Sequence, residues 1–173
     1  RRGTDADEIG VFDGLQQFRG SAITLHPSNF QIPTSPINGK FSIISWEGDV
    51  GNSADLGGFS EDVKFNSNDL IDATNPINNQ FNSTINTYGS GNTYYGVDID
   101  TYDISSYLSA GQTTATTDYS SGGDLVLLGA EIVSVTNTAV SDLAITKTHS
   151  GNFGVNTNGS YTIGVTNNGP SAT

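Results

Sequence analysis

The stretch KFSIISWEG (residues 40–48) carries the alternating pattern from which the fold of this chain can be read. Successive side chains of an extended strand point to opposite faces. The alternation therefore groups Phe41, Ile43 and Ser45 on one face, opposite Ser42, Ile44 and Trp46. This pattern predicts a β-strand.

Further segments have the same strand character, because they are rich in β-branched and aromatic residues and are bounded by Gly, Asn, Pro or Ser. They are 21–26, 61–66, 95–104, 113–120, 124–136, 143–148 and 160–166. The near-continuous apolar run in 124–136 predicts a central strand. The best helical candidate, 60–73, has an Asn-rich centre that favours a turn or one short helix. We therefore predict an all-β protein with a β-sandwich or jelly-roll body.

Composition excludes several classes of protein. The chain has 173 residues, no Cys and no Met, and only 14% of its residues are charged. Disulfides and thiolate metal sites are therefore excluded. A formal net charge of −12 with six Lys and Arg lacks the basic footprint of a nucleic-acid-binding protein. We therefore predict no nucleic-acid partner. No apolar run approaches the roughly 18 residues that a membrane-spanning helix needs, so we predict no membrane insertion.

The polar connector TNTAVS (136–141) suggests two parts, a β-sandwich module over 1–140 and a separate segment over 141–173. The second part contains two predicted strands joined by a Gly- and Asn-rich loop. Alternation places Leu143 and Ile145 on one face of the first strand and Tyr161, Ile163 and Val165 on one face of the second. An isolated hairpin is only marginally stable in water, so this apolar face needs a partner.

Two strings in the second part, DLAITKT (142–148) and GSYTIGVTNNGPSAT (159–173), resemble the start of the bacterial surface repeat called the DUF11 domain. The resemblance implies an incomplete Ig-like domain, an extracellular or bacterial cell-surface location and no enzymatic role. The segments 46–51, 63–85 and 94–124 resemble the module that precedes such repeats in adhesin-like surface proteins. This second resemblance implies a location in a cell-surface protein, and it implies no particular reaction or ligand.

Two explanations fit a repeat that stops after two strands. Either the chain simply ends there, or another copy completes the domain by strand addition, which would produce a head-to-tail filament or layer. We expect a non-enzymatic structural protein whose partners are copies of itself. The expected subunit interface consists of Leu143, Ile145, Tyr161, Ile163 and Val165. The alternative is an adhesin head that binds a glycan or a host protein in a concave site lined by Tyr and Asp.

Carboxylates are the most plentiful reactive groups, and an oxygen-rich cluster suits Ca²⁺. Asp98 and Asp100 share a strand face, while Asp49 and Asp124 follow other predicted strands. We predict that the protein needs no cofactor, and that Ca²⁺ is the ion these four carboxylates would bind. No nucleophile-elbow or P-loop motif is present.

Two kinds of covalent modification are also conceivable from the sequence. Asn82 and Asn158 begin N-glycosylation sequons in polar, turn-like segments. Lys40, Lys64 and Lys147 lie on predicted strands, where a buried Lys can form an isopeptide crosslink to Asn or Asp in some surface adhesins. An exposed, charge-bearing strand residue is the simpler interpretation of each Lys.

Overall fold

The computed structural model describes residues 6–51, 54–89, 93–137, 143–152, 154–155 and 158–167. These residues form ten β-strands and two single-turn 3₁₀ helices, and no α-helix occurs among them. The chain separates into two compact units, Arg1–Thr136 and Asn137–Thr173. The all-β class predicted from the sequence is confirmed. The predicted boundary at 140/141 lies outside the described residues.

The strands of the first unit are β1 Ala6–Phe18, β2 Ser21–Leu25, β3 Gly39–Trp46, β4 Asp62–Phe65, β5 Asn68–Asp69, β6 Val97–Asp103, β7 Thr117–Ser121 and β8 Val126–Asn137. The 3₁₀ turns are Asn86–Tyr88 and Ser105–Tyr107. The second unit contains β9 Leu143–His149 and β10 Tyr161–Asn167.

The eight strands of the first unit have the pairing of a jelly roll. One sheet has the order β1-β8-β3-β6 and the other has the order β2-β7-β4-β5. Strand β1 therefore pairs with β8, β2 with β7, β3 with β6 and β4 with β5. The chain folds as one long hairpin that is bent into two sheets, which is the jelly-roll form of a β-sandwich. As predicted, β8 is a central strand, between β1 and β3.

The hydrophobic core fills the space between the two sheets. Phe41 of β3 packs against Phe65 of β4, with ring centroids 5.3 Å apart, and Phe18 of β1 lies 6.4 Å from Tyr119 of β7. Both contacts join one sheet to the other. The predicted alternation of β3 is confirmed, since Phe41 and Ile43 are fully buried in this core.

A polar contact also crosses the core. Glu131 of β8 is buried, and one of its carboxylate oxygens accepts hydrogen bonds from the Thr117 hydroxyl at 2.7 Å and the Tyr119 hydroxyl at 2.6 Å. Burial raises the pKa of the Glu131 carboxyl above its ordinary value. The two hydroxyls satisfy an acceptor that would otherwise carry a large desolvation cost.

Two local features differ from the sequence prediction. The segment 60–73 contains no helix, because Asn66 and Ser67 adopt positive φ of 47° and 65° and form the tight turn between β4 and β5. Asn tolerates this left-handed conformation, which two-residue hairpin turns require. Strand β1 was not predicted, since its sequence mixes Gly, Asp and Gln with isolated apolar residues.

The second unit is an antiparallel hairpin with two different faces. Ile145 lies opposite Val165, Lys147 opposite Ile163 and His149 opposite Tyr161. These pairs share one face. The other face carries Thr146, Thr148, Thr162 and Thr166 with Ala144 and Gly164.

Replacing Tyr119 with Phe tests the polar contact across the core. The substitution keeps the ring but removes one donor from the buried Glu131 carboxylate, so we expect a loss of about 1–3 kcal/mol in the free energy of unfolding. Urea denaturation measures it. Tyr95→Phe is the matched control, because the Tyr95 side chain is 92% exposed. Equal stability of the two variants would contradict a structural role for this contact.

Candidate functional site

Four connections of the jelly roll meet at one end of the sandwich. These are the β1–β2, β3–β4, β5–β6 and β7–β8 loops. The Gly20 amide donates to the Gly122 carbonyl at 2.8 Å, and the Gly123 amide donates to the Ala54 carbonyl at 2.6 Å. The Asp49 amide donates to the Asp124 carboxylate at 3.1 Å. These contacts fix the loops relative to one another, although the loops lie far apart in sequence.

A cleft of about 360 Å³ opens between the β3–β4 and β5–β6 loops. Its lining is Glu47, Gly48, Asp49, Val50, Ser83, Tyr95 and Gly96. The Ser83 hydroxyl donates to the Gly48 carbonyl at 2.5 Å and accepts from the Gly96 amide at 2.7 Å. Ser83 therefore ties the two walls together, while the Tyr95 ring is exposed at the rim.

Three residues that line this cleft have unusual backbone geometry. Glu47, Ser83 and Tyr95 have positive φ of 72°, 62° and 52°. Non-glycine residues rarely adopt such values, and each one costs stability unless its surroundings impose it. Strained residues tend to cluster at functional sites, which makes this end of the molecule the best candidate for one.

Beside the cleft, two carboxylates of β6 point into the sandwich rather than towards solvent. Asp98 and Asp100 are both fully buried. Asp98 accepts a hydrogen bond from the Thr84 amide at 3.0 Å, and Asp100 accepts one from the Asn86 amide at 3.2 Å. The second oxygen of each carboxylate is buried without a hydrogen-bond partner. Burial raises the pKa of each carboxyl to about 7.

The segment that these carboxylates hold also covers the free edge of β6. The side-chain amide of Asn86 donates to the Thr101 carbonyl and accepts from the Thr101 amide, both at 2.9 Å. The Ile99 amide donates to the Thr84 carbonyl at 3.2 Å. Asn86 thus replaces a neighbouring strand, and this sheet edge is protected from strand addition.

The four predicted calcium ligands lie at or near this end but do not form one cluster. Asp124 is close to Asp49, and its pKa is raised to about 6 by burial and by the like charges of Asp49 and Glu47. Asp98 and Asp100 instead bind loop amides. No group of three or more His, Asp or Glu side chains in the described part of the chain is arranged to hold a metal ion. Calcium binding stays a prediction.

The two sequons are in different environments. Asn82 is buried, and its side-chain nitrogen donates to the Thr74 and Asn79 carbonyls at 3.0 and 2.8 Å. An oligosaccharide on Asn82 would require this segment to open, because both hydrogens of that nitrogen are engaged. Asn158 is exposed. Of the three Lys, Lys64 pairs with Asp69 at 2.5 Å and Lys147 lies over the Tyr161 ring at 3.9 Å.

The predicted interface residues lie on one exposed face of the second unit. Ile145 is 72% exposed and Val165 is 62% exposed. Tyr161 and Ile163 are exposed on the same face of β10. Leu143 belongs to β9, but its side chain lies outside what the structure describes.

Sequence reasoning found part of this end of the molecule. It singled out Asp49, Asp98, Asp100 and Asp124, but it assigned all four to one calcium site, and the structure does not bring them together in one cluster. It missed Ser83, which appeared only as the middle residue of a sequon. Nothing in the sequence around Ser83 predicts that its φ is positive.

Comparison with family models, with curated proteins and with solved structures found no match for this chain. The resemblance to Ig-like DUF11 repeats therefore stays a prediction. In the part of the chain that is described, no helix is long and apolar enough to cross a membrane.

Replacing Asp98 with Asn tests the protonation of the buried carboxylate. The folded protein holds this proton up to about pH 7, whereas an unfolded Asp releases it near pH ~4. Since the folded pKa is raised, the stabilisation is complete below the unfolded pKa and is lost as the pH rises through the folded one. The free energy of unfolding should therefore fall between about pH 4 and about pH 7.

In Asp98→Asn the fall should be shallower, because the amide stays uncharged throughout. Urea denaturation across this pH range measures the slope. Asp55→Asn, at an exposed carboxylate, should keep the slope of the unmodified protein. Parallel curves for Asp98→Asn and the unmodified protein would show that Asp98 does not carry the pH dependence.

Proposed function

We propose that this protein is a non-enzymatic, extracellular structural component whose copies assemble into a filament or layer by β-strand pairing. The hairpin of the second unit is the assembling element. The single observation that carries the proposal is its exposed and largely apolar face, formed by Ile145, Ile163, Val165 and Tyr161, on which the Lys147 side chain lies over the Tyr161 ring. The proposed location is a bacterial cell surface, as the resemblance to surface repeats implies.

The energetic reason is that a two-stranded hairpin cannot bury its own apolar face. Covering a side chain the size of Val or Ile is worth about 1.5–3 kcal/mol relative to full exposure. Docking three such residues against another copy therefore supplies several kcal/mol, from which the cost of association must be subtracted. The Thr-rich opposite face has no such drive, so the hairpin has one side for docking and one for solvent.

Backbone groups provide the second part of the proposed contact. Each strand of a two-stranded sheet has one edge that its neighbour does not satisfy, and an added strand pairs with such an edge. Alternate side chains that enter the neighbouring copy fix the register, because a shift by one residue would present the Thr face instead. A contact of this kind is heterologous and grows into fibres or layers.

Val165→Lys tests this proposal, and Thr166→Lys is its matched control. The two positions are adjacent on β10, both are exposed, and both variants add the same charge. The two substitutions differ in which face of the hairpin receives the added charge. We expect Val165→Lys to abolish assembly, because a charge would be buried without a partner, and Thr166→Lys to leave assembly intact. Negative-stain microscopy with light scattering measures the extent of assembly of each variant.

A monomeric unmodified protein would contradict the proposal. So would an equal loss of assembly in both variants, since it would point to a general charge effect rather than to the apolar face.

The alternative function is a binding head for a glycan, and the cleft at the loop end favours it. Carboxylates of Glu47 and Asp49 can accept hydrogen bonds from sugar hydroxyls, and the exposed Tyr95 ring offers a surface for the apolar face of a sugar. Jelly rolls occur both in lectins and in capsid shells, so the fold itself does not choose between binding and assembly.

Tyr95→Ala tests the alternative by screening on a glycan array. A binding head should recognise a glycan, and Tyr95→Ala should weaken that binding by about fivefold or more, because stacking on an aromatic ring contributes on the order of 1 kcal/mol or more. Tyr88→Ala is the control, at an exposed ring that does not line the cleft. Absence of any glycan ligand, or an equal effect of both substitutions, would count against this function.

A further inference from the structure

A cavity lies at the side of the sandwich where β1 and β2 come together. Strand β1 is at the edge of one sheet, and β2 is at the edge of the other. The cavity has a volume of about 190 Å³ and is separate from the cleft at the loop end. Its lining is Phe12, Asp13, Gly14, Gln16, Leu25, His26, Pro27 and Glu131.

The lining of this side cavity divides into a polar mouth and an apolar wall. Three exposed polar residues form the mouth, namely Asp13, Gln16 and His26. Three less exposed apolar residues form the wall, namely Phe12, Leu25 and Pro27. None of the described residues that line the cavity is Lys or Arg. The wall can therefore pack against a hydrocarbon chain that enters through an acidic mouth.

A buried carboxylate forms the inner end of the side cavity. Glu131 is 2% exposed and belongs to β8, the strand next to β1. The Thr117 and Tyr119 hydroxyls both donate to the same oxygen, Oε2. Because one carboxylate oxygen has two lone pairs, these two donors fill Oε2. Oε1 accepts from neither hydroxyl and is not among the enclosed atoms that lack a partner, so it faces the cavity.

A cationic group fits this inner end. Burial raises the pKa of the Glu131 carboxyl, while the two hydroxyls and the nearby His26 lower it by less. Folding has already removed this carboxylate from water, so an entering cation gains its attraction without that part of the desolvation cost. The formal net charge of −12 also favours the approach of a cation.

The single available oxygen favours an ammonium over a guanidinium. A guanidinium binds a carboxylate best through both oxygens, whereas an ammonium acts as a compact point charge. The volume limits the rest of the ligand, because pockets for drug-sized molecules measure about 300–1,000 Å³. A stem the size of an amino-acid side chain therefore fills the side cavity.

We propose that the side cavity binds a primary ammonium group carried on an unbranched hydrocarbon stem. The ammonium donates to Oε1 of Glu131, and the stem packs on Phe12, Leu25 and Pro27. Such a group occurs in free alkylamines and in the Lys side chain of another protein. This site lies in the first unit and does not depend on the function proposed for the hairpin.

The experiment is a titration followed by ¹H–¹³C NMR at about pH 8, where a primary amine is charged. The probe is pentylamine, and 1-pentanol is the uncharged control with the same chain length. We expect pentylamine to shift the Leu25 methyl and Phe12 ring signals, and 1-pentanol to bind at least about tenfold more weakly, because it lacks the charge-assisted hydrogen bond. Glu131→Gln should weaken pentylamine binding to the same extent, since the amide keeps an acceptor for the two hydroxyls but has no charge.

A second variant tests the site without altering the buried carboxylate. Gln16→Lys places an ammonium of the chain itself at the mouth and should block pentylamine binding. Gln17→Lys is the matched control, because Gln17 is also exposed on β1 but does not line the cavity. Circular dichroism confirms that each variant is folded.

Three results would overturn the proposal. They are the absence of Leu25 and Phe12 shifts with pentylamine, equal binding of 1-pentanol, and an equal effect of Gln16→Lys and Gln17→Lys. Propylguanidine that binds as tightly as pentylamine would contradict the choice of an ammonium. Nα-acetyl-lysine methylamide distinguishes the two sources of the ligand, because tighter binding than pentylamine identifies a protein Lys, and weaker binding identifies a free amine.

Discussion

The burial of two carboxylates on the inner face of β6 is the constraint on which much of the first unit depends. Asp98 and Asp100 occupy positions that alternation sends into the sandwich, between core residues. A buried carboxylate needs donors, and the amides of Thr84 and Asn86 supply them. The β5–β6 segment is consequently held along the edge of β6.

Several features of the molecule follow from that arrangement. The held segment buries Asn82 and places Ser83 where its hydroxyl links the two walls of the cleft. It also brings Asn86 beside Thr101, so that the edge of β6 is closed. Two described surfaces carry exposed apolar side chains, namely the outer face of the β1-β8-β3-β6 sheet, with Trp46 and Ile99, and one face of the hairpin, with Ile145 and Val165. Both are apolar on one side in a chain that is otherwise polar and acidic.

Sequence reasoning recovered the strands whose side chains alternate clearly, and it recovered the all-β class while leaving β-sandwich and jelly roll open. It identified β3 from Phe41 and Ile43, and it placed β8 at the centre of a sheet from its apolar run. It could not identify β1, whose pairing is decided by β8 rather than by its own composition. It could not tell which face of β6 is buried, because burying Asp98 depends on a loop donor, the Thr84 amide, which lies fourteen residues earlier in the chain. The position of the Trp46 ring over Gly129 was equally hidden, since it depends on a bulge in β8.

The central claim is that copies of this chain associate through the hairpin of the second unit. Hydrogen–deuterium exchange at low and high protein concentration tests it most directly, because strand pairing protects backbone amides from exchange. Amides of β7, which lies between two strands of its own sheet, serve as the internal reference. If copies associate in this way, exchange in β9 and β10 slows as the concentration rises, while exchange in β7 does not change. Exchange rates in β9 and β10 that are independent of concentration would contradict it.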